Sequence, residues 1–317
     1  MKILVTGGAG FIGSNVVDKF IESGHEVVIV DNLSTGKKEN INPQAKFYEI
    51  DIRSEKLEEI FKQEKPDIVD HHAAQISVPV SVREPLLDAD VNALGFLNIL
   101  QNCVRFQTKK VIFISSGGAI YGEAEEYPTS EKYEPQPLSP YAIHKFISEK
   151  YLQYYHHQFG LNYTVLRYAN VFGPRQIPHG EAGVVSIFIT NIRDGKQSLL
   201  NAYKDKPDGM IRDYVFVKDV VEANFLALTK GDLEAFNIGT NRETTTGELF
   251  REISEQMNYD LDPIRMDARP GDLKKSCLNV EKAKKKLGWE AKYSLQKGIK
   301  ETIEFFVAPS SRWELDV

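Results

Sequence analysis

Cysteine is nearly absent from this chain. Cys103 and Cys277 stand far apart and no Cys-x-x-Cys pair occurs, which excludes a disulfide framework and a cysteine zinc site. Long apolar runs are missing as well: none approaches the length of a membrane span. No charged-then-apolar leader precedes the first strand pattern, "MKILVTGG". These absences lead us to expect a protein of the reducing cytoplasm with no membrane partner. Excess positive charge is lacking too. The formal net charge is -6, and a nucleic-acid partner is not expected without a basic face. Any anionic ligand must be held by a few local Arg, Lys or backbone N–H groups. His71–His72 and His156–His157 lie in no metal-ligand frame such as HExxH, and no metal is expected.

What is present is an ordinary globular composition, 42% hydrophobic and 26% charged over 317 residues, enough for one large domain or two modest ones. Short apolar runs at 2–6, 26–31, 46–50, 67–71, 110–115 and 162–167 alternate with amphipathic stretches at 11–23, 55–63, 85–106 and 140–159. Continuous Val/Ile/Leu runs are what a parallel sheet covered by helices on both faces demands. The alternation predicts an α/β fold, a Rossmann doubly wound parallel sheet. After Gly173 the texture becomes loop-rich, as in "GPRQIPHGEAG" and "AYKDKPDGMIRD". We therefore expect a nucleotide-binding domain over 1–173, completed by segments from about 213–240. A smaller, less regular lobe over 174–317 would hold the second ligand. The ligand crevice belongs at the carboxyl ends of the strands, between the lobes.

"TGGAGFIGS" follows the first strand and opens a helix. Its glycines fit GxGxxG at Gly8, Gly10 and Gly13, and GxxGxxG at Gly7, Gly10 and Gly13. Such glycines permit a tight turn, close approach to a pyrophosphate and helix–strand packing, and the helix N-terminus offers free N–H groups to phosphate. Asp31 ends the second strand, 18 residues after Gly13. A carboxylate there favours the free ribose 2′-hydroxyl of NAD over the 2′-phosphate of NADP. Lys37 and Lys38 nearby argue the other way, and a plain structural turn is the bland alternative.

"SPYAIHKFISEK" places Tyr141 and Lys145 one helical turn apart. The same spacing recurs at Tyr214/Lys218, read as a strand, and at Tyr293/Lys297, read as surface. A free phenol has a pKa of about 10, and bringing it to about 7 costs on the order of 4 kcal/mol. A lysine ammonium and a positive nicotinamide ring both favour the phenolate, which then acts as general base toward an alcohol while hydride leaves for NAD. A surface Tyr and Lys on one helix face is the alternative.

With these segments joined by "DNLSTG", "HHAAQ", "SSGGAIYG", "LRYANVFGPRQ", "RDYVFVKDV", "FNIGT" and "RPGDLKKS", the chain resembles the extended short-chain dehydrogenase/reductase family, within it the UDP-galactose (UDP-glucose) 4-epimerases. The resemblance runs from residue 3 to about 290. It implies that Gly7, Gly10, Phe11, Ile12 and Gly13 face the NAD pyrophosphate. Asp31, Asn32, Ser34, Thr35 and Gly36 would hold the adenosine ribose, and Asp51 and Ile52 would line the adenine. Ala73, Ala74, Gln75 and Asn92 belong to the cofactor surroundings, and Lys145 reaches the nicotinamide ribose. For the substrate it implies Asn170, Arg212 and Arg269 at the diphosphate and Asp272 at the uridine ribose. Each arginine has a neighbouring carboxylate, Asp213 or Asp272, as an alternative partner.

The family commonly keeps Ser or Thr four residues before the tyrosine of "YG". Here Gly117 stands there and Ser116 one residue earlier, so we expect Ser116 to supply the hydroxyl beside Tyr141. Related dehydratases carry an Asp-Glu pair where this chain has Gly118 and Ala119, which excludes acid chemistry from those positions. The resemblance therefore implies an isomerase that oxidises C4 of a UDP-hexose transiently and reduces the 4-ketose from its other face. Ser276, small where a bulky residue excludes N-acetylated sugars, leaves room for them. The segment "LLNAYKDKPDGM" departs from the usual "IFGDG", with Ala202 and Tyr203 where Phe and Gly are common. A UDP-uronate or non-UDP sugar, a plain reductase and a non-catalytic NAD-binding module remain the alternatives. The family also implies a homodimer through helices at about 90–106 and 141–159, with Phe146, Tyr151, Tyr154 and Tyr155 as candidates.

Overall fold

The structure, a computed structural model, describes residues 1–178, 183–269 and 272–308. Its strands are β1 (Lys2–Thr6), β2 (Glu26–Asp31), β3 (Lys46–Glu49), β4 (Ile68–His71), β5 (Lys110–Ser116) and β6 (Asn162–Tyr168), then β7 (Asn170–Phe172), β8 (Leu199–Ala202), β9 (Ile211–Arg212), β10 (Tyr214–Phe216), β11 (Glu234–Ile238), β12 (Thr244–Thr245) and β13 (Ile264–Asp267). Helices α1 (Phe11–Glu22), α2 (Leu57–Glu64), α3 (Val78–Arg83), α4 (Pro85–Ala89), α5 (Phe96–Arg105) and α6 (Pro140–Phe159) precede α7 (Val184–Arg193), α8 (Val217–Ala227), α9 (Thr246–Gln256) and α10 (Leu295–Val307).

A seven-stranded sheet of order β11-β6-β5-β4-β1-β2-β3 forms the centre, and every neighbouring pair in it is parallel. Its strands are apolar on both faces because both are covered. Ile3, Val5, Ile29 and Ile112 pack with Val16 and Phe20 of α1 and Val220 of α8. Leu4, Val30, Val69 and Phe113 meet Phe61 of α2, Ile99 of α5 and Leu152 of α6. The chain runs outward from β1 to β3, then crosses back to β4 beside β1. That reversal opens a crevice at the strand ends, where doubly wound sheets bind nucleotides.

Helix α6 has clear local causes. Ser139 caps it by accepting from the Ala142 N–H (3.2 Å), and Pro140 occupies the first turn. Gly160, at φ 71°, ends it with a left-handed turn. The helix expected over 85–106 is instead α4, a widened π turn over Asp90–Gly95, and α5. The extra residue lets Asn92 turn its amide to Gln75 instead of following the helix face.

Two expectations are corrected here. The strand read across Tyr214–Lys218 stops at Phe216, and Lys218 already belongs to α8. Tyr293, read as surface, is half-buried against the core: its ring packs 4.7 Å from that of Phe216, with Lys297 Nζ 4.3 Å from its centroid. The smaller lobe gathers β8 with β13, β9 with β12, and α7, α9 and α10.

Candidate active site

The glycine loop between β1 and α1 is built so tightly that side chains are excluded. A Cβ on Gly7 (φ +69°) would lie 2.7 Å from the Ala73 backbone nitrogen, and one on Gly13 only 2.3 Å from the Gly7 carbonyl oxygen. Gly10 opens α1 without a side-chain cap, so the first-turn N–H groups face the crevice. Gly7, Gly10, Phe11, Ile12 and Gly13 line it together with Asp31, Asn32, Ser34, Thr35, Asp51, Ile52, Ala73 and Ala74. This cradle fits a dinucleotide pyrophosphate.

Asp31 accepts from the Ala9 N–H (3.0 Å) and the Leu33 N–H (2.8 Å), and burial raises its pKa. Gly36 lies behind it, where a Cβ would meet both carboxylate oxygens at 2.9 Å. Lys38 pairs with Glu49 (3.1 Å) and Lys37 lies 3.7 Å from Glu39. Arg53 holds Asp51 well below the usual carboxylate range, with help from Asn32. Gln75 and Asn92 are brought together without lining the crevice: each amide or backbone group of one answers the other at 2.9 Å. They fix the loop after β4.

Tyr141, in the first turn of α6, lines both clefts beside Ser116, whose hydroxyl favours the phenolate. One turn on, Lys145 Nζ donates to the Ile114 carbonyl (2.8 Å) and lies 5.9 Å from the Tyr141 ring centroid. Burial pushes the Tyr141 phenol up to about 12, against the Ser116 hydrogen bond and with Asp88 adding to the rise. Burial draws Lys145 down to about 8, with Asp88 opposing. Bringing that phenol from about 12 to about 7 costs about 7 kcal/mol. One hydrogen bond returns about 0.5–1.5 kcal/mol, so positive charge has to supply most of it.

Gly117 has no space for the side chain the family commonly keeps there. Its Cβ would sit 2.6 Å from Leu278 Cδ1 and 3.1 Å from the Arg167 carbonyl oxygen, in packed core. Ser115 is turned away as well: its hydroxyl donates to Glu149 (2.6 Å), which Arg167 clamps. The hydroxyl brought to Tyr141 is that of Ser116. Gly118 and Ala119 do face the cleft, with no acid to offer.

A second cleft holds Asn170, Arg212, Arg269 and Asp272. Asp213 accepts from Thr240, Asn241 and Leu278 and is buried, so it is committed away from Arg212. Asp272 takes the Arg269 backbone N–H (3.3 Å); Pro270 and Gly271 of the "RPGD" frame lie outside the described residues. Ser276 is buried one layer back, its hydroxyl 4.0 Å from where a Gly118 Cβ would be. Neither Ala202 nor Tyr203 lines the cleft. Tyr203 donates to the Asp272 carbonyl (2.6 Å) and carries Lys274 over its ring. Asn201 lines it instead, and with its oxygen toward the guanidinium it accepts from Arg269 Nη2 (2.8 Å) and Nε (2.9 Å). Strand alternation was the available signal: Leu199 and Asn201 share a face, and Leu200 is buried.

The two clefts meet at Ser116, Tyr141, Ala169 and Asn170. His71 and His72 diverge: the first pairs with Thr6 (2.8 Å), the second lies 3.1 Å from Asp70. His144 faces Asp88.

A Rossmann sheet whose dinucleotide crevice opens beside a Tyr–Lys helix onto an arginine-bearing cleft defines a nucleotide-cofactor enzyme acting on an anionic substrate. Comparison with known proteins makes this specific. The profile of the NAD dependent epimerase/dehydratase family matches residues 3–239, and the chain belongs to that family. It is 41% identical over 312 residues to a UDP-glucose 4-epimerase of Mycolicibacterium smegmatis, covering 96% of this chain and 98% of the relative. Among solved structures it resembles a Thermotoga maritima UDP-glucose 4-epimerase with UDP-glucose (52% identity, TM-score 0.94, 96% of this chain and 98% of that one). A Methanobrevibacter ruminantium UDP-N-acetylglucosamine 4-epimerase in complex with UDP-N-acetylmuramic acid follows the same fold (36% identity, TM-score 0.90, 96% and 98% covered).

Proposed function

We propose that this protein is an NAD-dependent isomerase that interconverts UDP-galactose and UDP-glucose at C4. The observation that carries the reading is the meeting of the dinucleotide crevice and the arginine-bearing cleft at Tyr141 and Ser116. Bound NAD supplies the hydride acceptor for C4 and the donor for its return. Tyr141 Oη takes the proton of the sugar 4-hydroxyl and later gives it back, with Ser116 hydrogen-bonded to both. Lys145 holds positive charge beside the phenol. Arg212 and Arg269 grip the diphosphate through their planar forks, Asp272 takes the ribose, and Asn170 reaches the diphosphate where the clefts join. The 4-ketose turns over inside the cleft, so net redox change is zero.

Gly118 and Ala119 at the cleft wall give water elimination no acid, which disfavours a dehydratase. The small side chains of Gly118 and Ser276 leave space beside the sugar, which favours UDP-N-acetylhexosamines as additional substrates. We also infer a homodimer, and a cytoplasmic setting in keeping with two buried free thiols. Among the described residues no helix is long and apolar enough to cross a membrane.

Proton NMR of purified protein with UDP-galactose and, separately, UDP-N-acetylgalactosamine, no cofactor added, tests this. The expected result is conversion of both to their gluco epimers. No conversion of either, even with added NAD, overturns the reading; conversion of UDP-galactose alone overturns the part assigned to Gly118 and Ser276.

A further inference from the structure

We propose that Asp88 and His144 form a positioning pair that fixes the placement and charge of Tyr141 and Lys145 against the cofactor loop, an inference that rests on the epimerase reading above.

Asp88 is fully buried on α4. Its Oδ2 accepts from His144 Nδ1 at 2.5 Å, and its Oδ1 from Gln75 Nε2 at 2.6 Å and Asn92 Nδ2 at 3.0 Å. One carboxylate therefore ties together three elements: the loop after β4, the π turn and α6. His144 lies three residues after Tyr141 and directly before Lys145, so the bond to Asp88 sets the rotation of the catalytic turn of α6. Three donors converge on this one carboxylate, and Nδ1 of His144 supplies the hydrogen of its contact with Asp88.

The charge matters as well as the geometry. Asp88 acts on both functional groups from behind, favouring the Lys145 ammonium and opposing the Tyr141 phenolate. Other ionisable groups on the surrounding elements are committed elsewhere or lie on the far side. Arg83 at the end of α3 pairs with Glu84 at the surface (3.2 Å), and Asp90 after α4 pairs with Arg53 (2.6 Å). His71 on β4 is held by Thr6, and burial, with Lys145 nearby, pulls its pKa down.

The test is kcat and KM against pH for wild type, Asp88→Asn, His144→Asn and His144→Leu, with ultraviolet titration of the Tyr141 phenol read as the difference from Tyr141→Phe. Asp88→Asn keeps the shape and removes the charge, so Lys145 and Tyr141 both titrate at lower pH. Both limbs of its pH–rate profile and its phenol titration are expected to move acidward by about half a unit or more. His144→Asn places a donor where Nδ1 was and is expected to rescue kcat. His144→Leu removes the link and lowers kcat by about tenfold or more, with KM for the UDP-sugar changed far less. A folded Asp88→Asn whose phenol titration and profile superimpose on wild type overturns the inference. So does His144→Leu with kcat equal to that of His144→Asn, a measurement that stands even if Asp88→Asn does not fold. Absence of epimerisation in wild type overturns the epimerase reading instead, and the phenol titration still decides the role of Asp88.

Discussion

Ser115 and Ser116 are neighbours with opposite assignments. Ser115 completes a buried cluster with Glu149 and Arg167 (Ser115 Oγ to Glu149 Oε1, 2.6 Å), so Ser115→Ala is expected to cost about 1–2 kcal/mol of stability and keep most turnover. Ser116→Ala is expected to keep stability and lose turnover by about 10²-fold. Urea melts and kcat for the two variants decide it, and the reverse pattern would give the catalytic hydroxyl to Ser115. Lys145 allows a second residue-level test. Its folded pKa, about 8, lies below the unfolded value of about 10.4, so burial of its charge destabilises the protein fully below pH 8. Between these values the unfolded chain binds more protons than the folded one, and stability rises with pH by up to about 3 kcal/mol. In cofactor-free protein, Lys145→Met should therefore gain stability over wild type near pH 7 and lose that advantage by pH 10. A pH-independent difference in urea melts would sink the burial account.

At the scale of elements, α6 was legible end to end because Ser139, Pro140 and Gly160 mark it chemically. The π turn was not, since Asn92 leaves the helix pattern for partners 17 and 4 residues away, Gln75 and Asp88. The helices proposed for the dimer divide in a way that aromatic content alone did not reveal. Tyr155 is 7% exposed and belongs to the core, whereas Tyr154 is 52% exposed and Leu94 on the π turn 59%. α6 packs against α3, α4, α5 and the π turn, so these residues lie on one helical layer. Sedimentation should give a species of twice the 35.9 kDa chain mass, shifted toward monomer by Leu94→Glu. A monomeric wild type would refute the dimer.

For the whole molecule, the sequence by itself determined the parallel sheet, its six leading strands within a residue or two, the glycine cradle and the Tyr141–Lys145 turn. Each is written in local pattern: apolar runs, glycines at fixed spacing, a capped helix. The glycine at 117 already pointed to Ser116 in the sequence, and tertiary structure supplied the reason, because Gly117 is pressed against Leu278, 161 positions further on. Strand alternation puts Asn201 on the face of Leu199, but only tertiary structure set that face in the substrate cleft beside Arg269 and brought Asp88 to His144. These are contacts between residues remote in sequence, set by how the sheet stacks its helices and by how the second lobe closes over it, and no short-range pattern encodes them.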